Sequence, residues 1–216
     1  MVKCILIIGL SLLYNIMALV ADSNFTNNLV SVSAFSPFPT GGGNKVLQLN
    51  VTGGGVLLSN AGALSSASKV DCLIDAVVNS GGSGPEGSFG FILNRDGSGK
   101  FYYLSIKVGP SLDLTFKINR YSGGIGGSFT ELATFGTAAS FISTGTIFTI
   151  RATVRNEGNG PNMSLLVNDI GVLSYIDRDS INQINSGQPG VASNILSGDG
   201  NNFDRYIDNW FARSVD

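Results

Sequence analysis

The sequence predicts an all-β domain, a two-sheet antiparallel β-sandwich, and three observations carry that expectation. Apolar and polar residues alternate with period two in run after run from about residue 45 to the C-terminus, each run is bounded by Gly, Asn, Ser or Asp, and no helical period takes hold. The composition agrees: 29 glycines in 216 residues and only 13% charged side chains suit short strands joined by tight turns.

The strands are expected at 46–50, 56–59, 70–78, 88–93, 101–108, 112–118, 129–135, 147–156, 163–167, 172–176 and 206–212. In 147–156 the alternation puts Phe148, Ile150, Ala152 and Val154 toward the core, with Thr149, Arg151, Thr153 and Arg155 facing outward. Asn94-Arg95-Asp96-Gly97-Ser98-Gly99 and Asn168-Asp169-Ile170-Gly171 carry hairpin-turn chemistry and imply antiparallel neighbours. The glycine-rich pieces at 41–43, 53–55, 81–84 and 123–127 are loops. None opens a helix or carries the Lys-Ser/Thr pair that a phosphate cradle needs.

Residues 1–23 have the shape of a signal peptide: Lys3, an apolar stretch from Cys4 to Val20, and the small residues Ala18, Ala21 and Ser23. Cleavage is expected after Ala21 or Ser23, leaving a single domain over 24–216, secreted or at the cell surface, with no stable membrane span. Retention as a signal anchor is the alternative, although Tyr14 and Asn15 interrupt the apolar run. Cleavage also removes Cys4, so Cys72 has no disulfide partner and reads as a small buried hydrophobe within its strand.

Charge and composition exclude several functions. The net charge is -2 and the 13 basic residues are scattered, which leaves no footprint for nucleic acid. The chain has no His, and so lacks the commonest general base and the commonest zinc ligand.

An ordered series of segments adds a family resemblance. Gly90-Phe91-Ile92-Leu93-Asn94-Arg95-Asp96-Gly97 precedes the aromatic strand Lys100-Phe101-Tyr102-Tyr103-Leu104, and Asn119-Arg120-Tyr121 leads through a glycine loop to Thr130-Glu131-Leu132-Ala133. Then come Thr149 to Val154, Ser164-Leu165-Leu166-Val167-Asn168-Asp169, the late turn Gly187-Gln188-Pro189-Gly190-Val191-Ala192-Ser193 and the closing Tyr206-Ile207-Asp208-Asn209-Trp210-Phe211. Over residues 45–212 this series resembles the laminin-G-like jelly rolls of the concanavalin A-like lectin and glucanase superfamily, with Asp169 where a Gly is commoner. The resemblance implies a jelly-roll fold and a sugar-related or adhesive role.

Glycosidases of this superfamily carry paired carboxylates on one strand, yet Glu86, Glu131 and Glu157 belong to no E-x-D-x-x-E series, and Asp71 and Asp75 read as a solvated strand face. A lyase needs a base and a carboxylate-neutralising charge, for which Tyr103, Lys107, Lys117, Arg151 and Arg155 could share one concave face. The same chemistry suits binding, and the ligand-binding residues expected are Tyr103, Tyr121, Arg151 and Arg155, with Tyr121 on the surface beside a glycine loop and Trp210 in the core. Asp199, Asn201, Asp204 and Asp208 supply oxygen ligands of the kind calcium prefers, although Asp-Gly-Asn is also ordinary turn chemistry. Three Asn-x-Ser/Thr triplets, at Asn24, Asn50 and Asn162, permit glycosylation. The functional expectation is a non-catalytic binding module for a glycan or polysaccharide. A structural or adhesive surface protein is the alternative, followed by a polysaccharide lyase or glycoside hydrolase.

Overall fold

A computed structural model describes residues 19–21, 30–33, 45–48, 54–59, 64, 66–79, 87–109, 112–137, 142–200 and 205–215. They form fourteen strands: β1 Leu19–Ala21, β2 Val30–Ser33, β3 Lys45–Gln48, β4 Gly55–Ser59, β5 Lys69–Val78, β6 Ser88–Arg95, β7 Phe101–Val108, β8 Leu114–Tyr121, β9 Phe129–Thr137, β10 Phe148–Glu157, β11 Gly160–Val167, β12 Ile170–Ile176, β13 Gln188–Ser193 and β14 Arg205–Ser214. The first sheet runs β1-β4-β13-β6-β7-β8-β9 and the second β12-β11-β10-β5-β14-β3-β2. Every pairing is antiparallel. The chain is a two-sheet antiparallel jelly roll, as expected.

Period-two alternation builds the layer between the sheets. On β5 and β10 the partners Cys72 with Ala152 and Ile74 with Ile150 face inward, toward Phe89, Phe91 and Leu93 of β6, Leu104 and Ile106 of β7, and Phe116 and Ile118 of β8. These side chains are almost wholly buried, and the Cys72 thiol is one of them. A second, smaller apolar cluster lies on the outer face of the first sheet, where Val56, Leu58, Ile92, Phe101, Tyr103, Tyr121 and Ala192 pack together with Phe129, Ile195 and Leu196. The centre of the first sheet is therefore buried on both faces, which is why Phe101-Tyr102-Tyr103-Leu104 is continuously apolar and aromatic.

Three elements were not anticipated. Gln188–Ser193, expected as a turn, is a strand between β4 and β6, and at Gly190 a Cβ would run into the Leu57 carbonyl. Val30–Ser33 forms the outer strand of the second sheet. Leu19–Ala21, inside the expected leader, pairs with β4, so a cut after Ala21 or Ser23 would remove β1 and open that edge. The two predicted hairpin turns are present. Asn168 and Asp169 take φ of 49° and 62°, the left-handed pair of a type I′ turn, and Asp96 Oδ1 accepts from the Ser98 and Lys100 amides.

A bulge between Asp208 and Phe211, with Asn209 at φ 52°, turns Trp210 into the core against Phe91, ring centroids 6.2 Å apart. Trp210→Ala is expected to cost about 3–5 kcal/mol of stability, read from the midpoint of urea unfolding, because the rigid sheets on either side leave a cavity there.

Candidate functional site

The structure divides the four residues expected to bind ligand between opposite sides of the sandwich. Tyr103 and Tyr121 belong to the outer face of the first sheet, Arg151 and Arg155 to the outer face of the second. The concave face proposed for Tyr103, Lys107, Lys117, Arg151 and Arg155 does not form, because the chain crosses from one sheet to the other between β9 and β10.

Each residue also has a local task. Tyr103 is 0% exposed, its hydroxyl 3.2 Å from Ser88 Oγ, and Ser88 Oγ donates to Asp199 Oδ2. Burial pushes the phenol pKa up, and the nearby Asp199 adds to the shift, so the ring carries a neutral hydroxyl. Tyr121 is 3% exposed rather than on the surface: its ring stacks on Phe101 at 4.8 Å and its hydroxyl donates to the Gly124 carbonyl at 2.7 Å. On the other side Arg151 grips Asp71 through Nε and Nη2 at 2.6 and 2.7 Å, and Arg213 Nη2 donates to Asp71 Oδ2 at 3.0 Å. Asp71 is buried rather than solvated. Burial alone would raise its pKa, but the hydrogen bonds and charges of Arg151 and then Arg213 outweigh burial and hold the carboxyl below its ordinary value. Asp75 accepts from Thr149 Oγ1 and Asn209 Nδ2, both at 2.8 Å, while Arg155 is exposed between Lys69 and Asn162 of the flanking strands.

Of the four candidate calcium ligands, Asn201 and Asp204 lie outside the described residues. Asp199 sits over the first sheet, held by Ser88 and the Leu196 amide, whereas Asp208 stands opposite Asp75 in the second. The two stand on different sheets. Among the described residues no three acidic or thiol side chains gather into a metal-binding group. Burial raises the carboxyl pKa of both, with the Asp75 charge adding to the effect at Asp208.

A concave site does form where the sequence shows little sign of one, at the end of the first sheet where β8 meets the 177–187 connection. Its foundation is Asp177, buried, which accepts from Tyr102 Oη at 2.7 Å and from Arg120 Nη1 at 2.8 Å. Tyr102 Oη in turn accepts the Ile184 amide at 2.9 Å, and Arg120 Nη2 reaches Asp179 at 2.9 Å, so the connection is pinned to the sheet at several points. Above this network is a cavity of about 250 Å³ lined by Lys100, Arg120, Tyr121, Ser122, Thr130 and Asn182. Two hydroxyls, an amide and an ammonium converge there, a mixed set of donors and acceptors that suits a polyhydroxylated solute. Of these residues only Tyr121 stood out in the sequence. Asn182 arrives from a loop some sixty positions away, and no local pattern links it to Arg120.

Two carboxylates give opposite pH signatures. Asp71 has a depressed folded pKa, so its contribution is present above the unfolded value of 3.8 and is lost as pH falls through the folded one. Asp71→Asn is expected to cost about 2 kcal/mol near neutrality, less than a fully buried pair because both arginines reach solvent, and the deficit should shrink below pH 3.8. Asp199 has a raised folded pKa, so what it contributes is present below 3.8 and lost as pH rises through the folded value. Asp199→Asn, which keeps an acceptor for Ser88, should therefore unfold no more easily than the parent at pH 7. Urea titrations across pH 2–8 read both.

No family model matches the chain, and no curated protein matches it. Solved structures of similar shape exist at low identity. A carbohydrate-binding module, CBM66 from Bacillus subtilis, superposes with a TM-score of 0.55 at 14% identity, covering 88% of this chain and 99% of that one. A mutant of the alginate lyase Aly36B in complex with an alginate tetrasaccharide gives 0.54 at 15% identity over 92% and 97%. A glycoside hydrolase family 16 endo-glucanase from Bacteroides ovatus gives 0.51 at 11% over 89% and 95%. These likenesses show a shared jelly-roll sandwich fold.

Proposed function

We propose that the chain is a secreted or surface-exposed, non-catalytic module of laminin-G-like kind that binds a glycan at the loop end of the first sheet. The observation that carries this reading is the cavity above Asp177, where Lys100, Ser122, Thr130 and Asn182 present polar groups. Sugar hydroxyls are met by such mixed donors and acceptors. The three neighbours support the reading, being a carbohydrate-binding module, an alginate lyase and an endo-glucanase of the same fold.

Binding is favoured over cleavage by the state of the charged residues. Asp71 is locked between two arginines with its carboxyl kept ionised, Asp75 is spent on Thr149 and Asn209, and Tyr103 is sealed from solvent. None of the three presents a proton donor or acceptor to an open cleft. A structural or adhesive role without a small ligand is the second reading. The outer face of the second sheet favours it, because Asp71, Arg151 and Arg213 there satisfy one another.

The test is a glycan-array screen of the protein with and without calcium, alongside an assay for new reducing or unsaturated ends in pooled polysaccharides. Selective binding without product is expected. Asn182→Ala and Lys100→Ala should each weaken it about tenfold, the worth of one or two polar contacts, while Arg155→Ala on the opposite face leaves it unchanged. Silence on the array from a folded sample rejects the glycan reading and leaves the structural one.

A further inference from the structure

We propose that the loop end of the sandwich docks on an anionic lipid bilayer, with Ile125 and Ile181 entering the headgroup layer. They are the two most exposed large hydrophobics among the described residues, at 89% and 87%, and they sit in separate turns whose residues Ser122 and Asn182 line one cavity.

Adjacent residues of one strand anchor both turns. Tyr121 holds the 122–128 loop by donating to the carbonyl of Gly124, next to Ile125. Arg120 holds the 177–187 connection through Asp177 and Asp179, and Asp179 Oδ1 accepts the Ile181 amide at 3.2 Å. In the first loop Gly123, Gly124 and Gly126 adopt φ of 86°, 73° and 78°, conformations that force the chain back and leave Ile125 as the only side chain of size at the tip. The exposure of both isoleucines is thus built into hydrogen-bonded turns.

The charge around them selects the partner. Lys100 lines the cavity, and Arg178 is exposed three residues before Ile181 beside Asn162 and Tyr175; neither has a carboxylate within ion-pair distance among the described residues. Three acidic groups nearby are engaged in hydrogen bonds: Asp177 is buried under Tyr102 and Arg120, Asp179 is partly exposed and held by Arg120 and Asn182, and Asp96 accepts from Ser98 and the Lys100 amide. Cations beside protruding apolar points fit an anionic membrane surface. A protein partner would need a continuous apolar area, whereas here two single isoleucines stand out from separate turns. A headgroup layer accommodates each point independently and offers phosphates to Lys100 and Arg178.

The test uses the full chain, so that the apolar N-terminal run is present in every sample and only a local readout decides. Ile125→Trp, Ile181→Trp and, as a comparison, Ile170→Trp are mixed with vesicles of equal phosphatidylcholine and phosphatidylglycerol, free of glycolipid, with bromine on the acyl chains near the headgroups. Ile170 is 55% exposed at the other end of the strand that leads into the Ile181 connection, and the buried Trp210 is a common background. Quenching is expected at 125 and 181 and not at 170, with lipid affinity falling at least about tenfold when Lys100 and Arg178 are both changed to Glu. Absent quenching at 125 and 181, or equal quenching at all three positions, overturns the proposal. Because the vesicles carry no sugar, neither outcome bears on the glycan reading.

Discussion

The apolar layer pressed between the two sheets is the constraint on which the other features depend. Once Phe89, Phe91, Phe116, Ile74, Ile150 and Trp210 face inward, each strand's alternation assigns its remaining residues to one outer face or the other. Which outer face a residue occupies then follows from the sheet its strand joins. Tyr103 and Arg151 are both central in their strands and both adjacent to inward-facing core residues, yet the thickness of the sandwich lies between them.

The two outer faces have been resolved differently. The first sheet covers its own centre with a second apolar cluster and ties the covering segment down through Ser88 and Asp199. The second sheet carries paired charges, with Asp71 accepting from two arginines whose side chains remain partly solvated, an arrangement that limits the desolvation cost of a buried carboxylate. At the loop end the same device reappears in Asp177, which joins Tyr102, Arg120 and the 177–187 connection and so creates the rigid platform for both the cavity and the isoleucine tips.

Most of the sandwich was legible in the sequence because alternation is a local property. The runs at 101–108 and 147–156 correspond to β7 and β10 within a residue or so, and the Asn-Asp turn at 168–169 has the left-handed geometry its residue types suggest. The strand at 188–193 was missed because Gly187-Gln188-Pro189-Gly190 has the composition of a turn. Pro189 and Gly190 are nevertheless tolerated inside a strand whose register shifts between Gln188 and Gly190. The candidate site was much less legible. Tyr121 draws attention for its aromatic ring beside glycines, but the ring is spent on stacking and its hydroxyl on the loop; its neighbour Arg120 does as much to build the cavity, and nothing local distinguishes it from any other arginine in a strand.

The sequence by itself determined the all-β class, the approximate strand boundaries, the turn chemistry and the inward face of most strands, because each depends on residues within a few positions of one another. Only the tertiary structure decided which outward residues share a face, which carboxylates are neutralised by which arginines, and where a concave polar site opens. Those outcomes depend on strand order and on contacts such as Arg120 with Asp177 and Arg151 with Asp71, separated by 57 and 80 positions, for which alternation carries no information.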